Sequence, residues 1–168
     1  MKKKINAAIR IIKDWKPRTN QDLKKTGLAF TYIGEGAFRR AFQIDGLPLV
    51  IKFPRLDGDD NDARTCIRHS VIEMRKIEAL RKFRLMRPHI PKVYYFDKTS
   101  GVIVMEYIDD TQQSTDFANT NDARAFGINL LVQRLIRAYT GIIIDDFSIE
   151  NVRYDRKTYK LKLIDVAY

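Results

Sequence analysis

Three oxygen-bearing side chains near the end of the sequence have the types and spacing needed for metal-assisted group transfer to a hydroxyl. Asp146 and Asn151 lie five residues apart after an apolar helical segment, and Asp165 follows the apolar stretch Leu161–Ile164. A carboxylate such as Asp146 can orient an attacking hydroxyl and accept its proton. The Asn151 amide oxygen and the Asp165 carboxylate are hard ligands that suit Mg²⁺. Asp and Asn are also common turn formers, so each residue alone is an ordinary loop residue.

Two charged residues and one glycine-rich segment could act on phosphates. Lys52, in the apolar segment Val50–Phe53, could present a fixed ammonium group to phosphates or could extend to solvent. Glu73, on a long helix, could hold that ammonium group or could be an exposed charge paired with Lys76. The segment Ile33–Phe38 contains two glycines, which allow a backbone to turn sharply and to approach phosphates closely. A strand follows this segment, which argues against Rossmann-type and Walker-type sites.

In this order, the residues resemble the motifs of the protein-kinase superfamily over residues 28–168. Gly34–Phe38 is similar to the glycine-rich loop, and Val50–Lys52 is similar to the strand with the phosphate-binding lysine. Glu73 corresponds to the helix partner of that lysine. Val102–Tyr107 is similar to the strand that enters the hinge, where Met105 would be the gatekeeper residue.

The resemblance implies an ATP- and Mg²⁺-dependent phosphotransferase. Asp146 would be the catalytic aspartate, Lys52 would hold the α- and β-phosphates, and Glu73 would position Lys52. Glu106–Ile108 would face the adenine. The residues implied to contact the nucleotide are Ile33, Gly34, Glu35, Gly36, Ala37, Phe38, Ala41, Val50, Lys52, Met105, Glu106, Tyr107 and Ile108, and the implied metal ligands are Asn151 and Asp165.

The sequence departs from the kinase pattern at several positions. Arg39 stands where the third glycine of the loop is usual, and Ile144 and Asp145 replace the His and Arg before the catalytic aspartate. Ser148 replaces a lysine, and Val166–Ala167 replace the Phe-Gly that follows the metal-binding aspartate. Because the arginine is missing, we expect no control by a phosphorylated activation loop. No activation segment follows Asp165, so we expect a naturally compact kinase similar to the minimal kinases of bacteria and phages.

Periodicity predicts the elements that must position these residues. The fold class is expected to be α+β and, by the resemblance, a bilobal kinase-like fold with a five-stranded antiparallel sheet, a long helix and a small helical C-lobe. The expected domains are an N-terminal helical extension (1–27), an N-lobe (28–108) and a C-lobe (109–168). The predicted strands are 28–33, 41–44, 47–53, 93–96, 102–108, 152–154 and 159–164. The predicted helices are 5–15, 63–85 and 122–140, with a further short helix that Thr19 or Asn20 can cap and Gly27 closes.

Composition and charge restrict the class of protein. The chain has 168 residues, of which 45% are hydrophobic, and a formal net charge of +10. No apolar run is long enough to span a membrane, and the single Cys66 suits a reducing compartment, so we expect a cytoplasmic protein without a membrane partner. The Lys run at the start of the first helix would also suit a membrane surface, but we expect the Ile/Trp face of this helix to dock onto the main domain. The basic residues are spread along the chain without a nucleic-acid-binding signature, so nucleic acid is not favoured as a partner.

Three functions remain open from the sequence. The leading hypothesis is transfer of phosphate from ATP to a Ser/Thr hydroxyl of a protein substrate. The second changes the acceptor to a small molecule such as a sugar or an aminoglycoside. The third is a pseudokinase that binds nucleotide or a partner protein without catalysis.

Overall fold

The computed structural model describes residues 1–56, 60–108, 134–143, 152–155 and 160–164. The chain divides into two compact units. The first unit comprises Met1–Ile72 and Lys92–Tyr107, and the second comprises Glu73–Pro91 and Ile108–Tyr168. The division into an extension and two lobes, as expected from the sequence, stays a prediction.

The described elements form an α+β fold with a five-stranded antiparallel sheet, a separate hairpin and one long helix. The helices are α1 (Lys2–Trp15), α2 (Asn20–Lys25), α3 (Asp60–Lys82), a 3₁₀ turn (Arg87–His89) and a helical segment at 134–140, and the strands are β1 (Phe30–Glu35), β2 (Arg39–Ile44), β3 (Leu49–Pro54), β4 (Val93–Asp97), β5 (Val102–Glu106), β6 (Val152–Asp155) and β7 (Lys160–Leu163). The sheet has the strand order β1-β2-β3-β5-β4, and β6 pairs with β7. This confirms the predicted class, sheet and long helix.

Several predicted boundaries are wrong by two or three residues. Helix α3 begins at Asp60, so Asp62, the expected cap of that helix, lies within its first turn. An acidic side chain is favourable there because it interacts with the positive end of the helix dipole. The same helix ends at Lys82 rather than at Leu85. The predicted linker 109–121 and the first part of the helix predicted at 122–140 lie outside the described residues.

One face of the five-stranded sheet is covered by helices α1 and α2. Strand β3 contributes Leu49, Ile51 and Phe53 to this face by the period of two, and neighbouring strands add equivalent residues. We call this the helix-covered face. Its buried cluster consists of Ala8, Ile9, Ile12 and Leu23 from the helices and Phe42, Ile44, Leu49, Ile51, Phe53, Val102 and Val104 from the sheet. The expected docking of α1 is therefore confirmed, although Trp15 is 59% exposed and lies outside the contact.

The turn between β4 and β5 is held by the Asp97 side chain. Its carboxylate accepts hydrogen bonds from the Thr99 amide (3.0 Å) and the Ser100 hydroxyl (2.7 Å). Partial burial raises the pKa of Asp97, but these hydrogen bonds outweigh it and hold the pKa below its ordinary value. A lowered pKa stabilises the fold at pH values above the ordinary pKa of an aspartate. This contribution is lost as the pH falls through the lowered value.

Gly101 closes the same turn at a point of close approach to helix α3. Its φ is 72°, and a Cβ there would lie 2.8 Å from Pro54 Cγ and 3.2 Å from Ile67 Cα. Gly46, with a φ of 69°, is the matched control, because a Cβ added to it would meet no atom within 4 Å. We expect Gly46→Ala to cost about 1–2 kcal/mol from backbone strain. Gly101→Ala should cost about 2–5 kcal/mol, because overpacking adds to the strain.

Chemical denaturation of the two variants checks this difference in the free energy of unfolding. Equal losses in Gly46→Ala and Gly101→Ala would show that the packing of the turn against α3 contributes nothing beyond backbone strain.

The second unit has its own buried residues. The C-terminal part of α3 buries Met74, Ile77 and Leu80. The Phe83 and Tyr139 rings are in contact, with centroids 5.4 Å apart. Strand β7 packs near the 3₁₀ turn Arg87–His89. Among the helices that the structure describes, none has the length and apolar character required to cross a membrane.

Candidate functional site

The register of the sheet brings residues predicted to contact nucleotide onto one face. Gly34 pairs with Ala41, Ala41 with Lys52, and Lys52 with Ile103, which forms one row across four strands. In the next row, Val50 pairs with Met105. Directly paired residues share a face, as do residues two apart on a strand. We call this the lysine face, defined by Gly34, Ala41, Val50, Lys52, Ile103 and Met105; it is opposite to the helix-covered face.

Lys52 lies in β3, the central strand of the sheet, and is buried. Its exposed fraction is 8%, and the neighbouring Val50 and Ile103 are buried as well. The alternative that Lys52 extends to solvent is therefore wrong. An ammonium group removed from water requires compensation by opposite charge or strong hydrogen bonds. A buried lysine in this strand is consistent with a side chain of fixed position.

Glu73 is also buried, with an exposed fraction of 0%. It lies in the middle of the buried stripe of α3 that includes Cys66, Ser70, Ile77 and Leu80. The interpretation of Glu73 as an exposed helix charge is therefore wrong. Burial of a carboxylate is costly unless it is compensated, so the position is unlike that of an ordinary surface glutamate.

The glycine-rich segment forms the hairpin between β1 and β2. The Gly36 amide donates a hydrogen bond to the Arg39 carbonyl (2.9 Å). A Cβ on Gly34 or on Gly36 would meet no atom within 4 Å, although Gly34 has a φ of 155°. For Gly36, neither φ nor packing within the chain requires a glycine. The open space beside its backbone leaves room for a ligand.

The other residues of this hairpin have different environments. Ile33 lies at an irregularity of the β1–β2 register and is exposed, as is Ala37. Glu35 accepts a hydrogen bond from Arg40 Nε (3.0 Å), and the two residues pair on the side of the sheet opposite to the lysine face. The Glu35 side chain is therefore engaged away from the proposed nucleotide position. Arg39, which replaces the third glycine, is 7% exposed.

Phe38, at the end of the hairpin, stacks on His69 of helix α3. The ring centroids are 3.7 Å apart and the ring planes differ by 15°. His69 is not part of any motif recognised in the sequence. Its position four residues before Glu73 was the only indication that it could lie near the site.

The segment predicted to face adenine begins at the end of β5. Met105 is 1% exposed and belongs to the lysine face. The Glu106 amide donates to the Lys92 carbonyl (2.8 Å), and the Tyr107 amide donates to the Pro48 carbonyl (3.1 Å). Ile108 is buried. Adenine would therefore have to bind groups of this segment other than the Glu106 and Tyr107 amides.

Asp146, Asn151 and Asp165 lie outside the described residues, so their predicted roles stay predictions. In the sequence, the described hairpin β6–β7 comes between Asn151 and Asp165, the two proposed metal ligands. Val152 pairs with Leu163 at its open end. Asn151 directly precedes β6, and Asp165 comes two residues after the end of β7. Both are thus connected to the same end of one hairpin. Among the described residues, no group of three or more His, Cys, Asp or Glu side chains could hold a metal ion.

Solved structures with a similar fold give the context for this arrangement. The chain is similar to the apo form of PpkA-294, a bacterial Ser/Thr kinase, with a TM-score of 0.52 and 16% sequence identity. The likeness covers 82% of this chain and 57% of that chain. The chain has a protein-kinase-like fold. It spans little more than half the length of this kinase, and the likeness concerns the fold alone.

A second likeness, to APH(2")-IIa in a ternary complex with streptomycin and ATP, has a TM-score of 0.41 and 13% identity. It covers 83% of this chain and 45% of that aminoglycoside phosphotransferase. No protein-family model and no curated protein matches the chain. The nucleotide contacts expected of the lysine face and of the glycine-rich hairpin stay predictions.

Proposed function

We propose that the chain is an ATP-dependent phosphotransferase. The observation that carries this proposal is the row Gly34–Ala41–Lys52 on the lysine face, in which a buried lysine lies beside the base of a glycine-rich hairpin. A lysine on the same face of a sheet as a glycine-rich hairpin is suited to bind phosphate oxygens that the hairpin backbone also contacts. The apolar Val50 and Met105 of the next row are suited to contact a purine ring. The kinase-like fold is consistent with this use of the sheet.

The roles of the individual residues follow from the kinase resemblance. Lys52 binds the α- and β-phosphates, and the buried Glu73 holds Lys52 in place. Asn151 and Asp165 are the proposed Mg²⁺ ligands, and their connection to one end of the β6–β7 hairpin supports a shared metal. Asp146 orients the acceptor hydroxyl. Mg²⁺ supplies neutralisation of charge on the phosphates when bound.

The acceptor that we propose is a Ser/Thr hydroxyl of a protein. This follows the leading sequence hypothesis, and it is compatible with the fold shared with a bacterial Ser/Thr kinase. Incubation of the purified chain with labelled ATP, Mg²⁺ and either protein mixtures or small hydroxyl compounds tests the choice of acceptor. Label found in small compounds alone would replace the protein acceptor, and ATP binding without any transfer would identify a pseudokinase.

Nucleotide binding itself is tested by Gly36→Val. In the part of the chain that the structure describes, no atom lies within 4 Å of a Cβ at this position, so the melting temperature should be almost unchanged. The added side chain would occupy the space proposed for phosphates, and we expect the Kd for ATP to increase about tenfold or more, the equivalent of ~1.4 kcal/mol. Titration calorimetry with ATP and Mg²⁺ measures this.

Ala7→Val, at an exposed position of helix α1, is the control for a surface valine. If Gly36→Val bound ATP as tightly as the original chain, the hairpin could not be the phosphate-binding loop.

A further inference from the structure

We propose that His69 is a positioning residue that fastens the glycine-rich hairpin to helix α3 through its stack on Phe38. In consequence, closure of the hairpin over nucleotide depends on the placement of α3. This inference rests on the proposed function and adds to it a residue outside the kinase motifs. The ligand concerned is the triphosphate of ATP.

The contact lies within the first unit and is close. The centroids of Phe38 and His69 are 3.7 Å apart with an angle of 15° between planes, so the two rings overlap face to face. The Phe38 carbonyl also accepts a hydrogen bond from the Arg55 amide (2.8 Å), at the end of β3. The end of the hairpin therefore contacts α3 through the stacked rings and the end of β3 through a backbone hydrogen bond.

The rest of the hairpin has little packing of its own. Glu35, Gly36 and Ala37 are exposed, and a Cβ on Gly36 would meet nothing within 4 Å. Glycine gives such a segment wide conformational freedom. A segment with few buried contacts opens at low free-energy cost. The Phe38 side chain, which is partly buried and stacks on His69, is therefore one contact that can hold the end of the hairpin in place.

The position of His69 on α3 links this contact to the proposed lysine partner. His69 and Glu73 are four residues apart on one continuous helix, so their side chains project from adjacent turns on the same side. The stack of His69 on Phe38 therefore lies one helical turn before the residue proposed to hold Lys52.

The expected effect is moderate. Stacked aromatic pairs contribute on a scale that corresponds to about a two- to tenfold change in an equilibrium constant. If the stack favours the closed hairpin, its loss reduces the fraction of molecules that are ready to bind and weakens the apparent affinity by the same factor. The loss should also be local, because Phe38 lies outside the buried cluster of the helix-covered face.

The test uses His69→Ala, His69→Phe and, as a control, Arg68→Ala, an exposed neighbour on the same helix. Amide hydrogen exchange of residues 34–38 is measured in the protein without nucleotide, and the Kd for ATP with Mg²⁺ is measured by calorimetry. We expect His69→Ala to accelerate exchange in the hairpin and to raise the Kd about two- to tenfold. His69→Phe should restore both values, since it keeps the ring, and Arg68→Ala should change neither.

The outcomes separate this inference from the proposed function. ATP binding by the original chain with unchanged exchange in His69→Ala overturns the inference alone. Failure of His69→Phe to restore a hairpin opened by His69→Ala also overturns it, because the ring stack would not be the cause. Absence of ATP binding by the original chain overturns the proposed function, and this inference with it.

Discussion

Replacement of Asp146 by asparagine should reduce phosphoryl transfer by about 10²–10⁴-fold, the usual contribution of a general base. The amide keeps the size of the side chain but cannot accept the proton of the acceptor hydroxyl. ATP binding should remain, because in the proposed mechanism Asp146 contacts the acceptor rather than the nucleotide. Transfer of label from γ-labelled ATP gives the rate, and calorimetry gives the Kd for ATP.

Asp145→Asn is the matched control, since it makes the same chemical change one residue earlier in the chain. We expect Asp145→Asn to keep most of the activity, because Asp145 has no role in the proposed mechanism. Equal losses of activity in the two variants would point to a general effect of charge in this segment. Full activity in Asp146→Asn would show that Asp146 is not the catalytic aspartate.

Replacement of Glu73 by glutamine should have the second large effect. Glu73 and Lys52 are both buried, and the proposed pairing makes each the compensation for the other. Removal of one partner of a buried pair typically costs about 3–5 kcal/mol, because the remaining charge loses its compensation. We therefore expect a large loss of stability together with weaker ATP binding and slower transfer. Denaturation, calorimetry and the labelled-ATP assay measure the three quantities.

Glu78→Gln provides the control on the same helix, because Glu78 is exposed. This change should be almost neutral. The double variant Lys52→Met/Glu73→Gln tests the pairing itself. If the two residues compensate each other, removal of the lysine should recover part of the stability lost in Glu73→Gln. Strictly additive losses would contradict the pair and would assign Glu73 another partner.

The sequence was sufficient to predict the sheet and to select five of the six residues of the lysine face; Ile103 was not singled out. Gly34, Lys52 and Met105 belong to short motifs in which alternation along strands determines which side chains share a face. Once the strands are correctly identified, antiparallel pairing of neighbours leaves few other arrangements. This is why a prediction from motif order agreed with the register across four strands.

Helix α3 was harder to predict because its buried stripe is not uniformly apolar. Apolar type favoured Ile67 and Val71 as core residues, yet both are half-buried, while Cys66 and Ser70 are buried. Apolar periodicity cannot predict the burial of a polar residue on a helix, because the prediction depends on apolar side chains alone. The full burial of Glu73 could therefore be read from the kinase resemblance but not from helical periodicity.

The contact between Phe38 and His69 depends on tertiary structure. The two residues are 31 positions apart in the sequence, and neither the hairpin pattern nor the helix pattern relates them. The same applies to Trp15, which extends the apolar pattern of α1 but is exposed, since the helix-covered face is already filled by Ala8, Ile9 and Ile12. Packing partners of this kind follow from the shapes of assembled elements rather than from local spacing.

The helix-covered face makes the sheet dependent on the two N-terminal helices. Ile12 and Leu23 are buried in one cluster with Phe42, Ile51 and Val104. A relative without the α1–α2 segment would expose these apolar side chains to water, and it could keep the same sheet only if that face had become polar or acquired another cover. The two helices and the apolar residues of the helix-covered face therefore depend on each other: loss of the helices requires a change in those residues of the sheet.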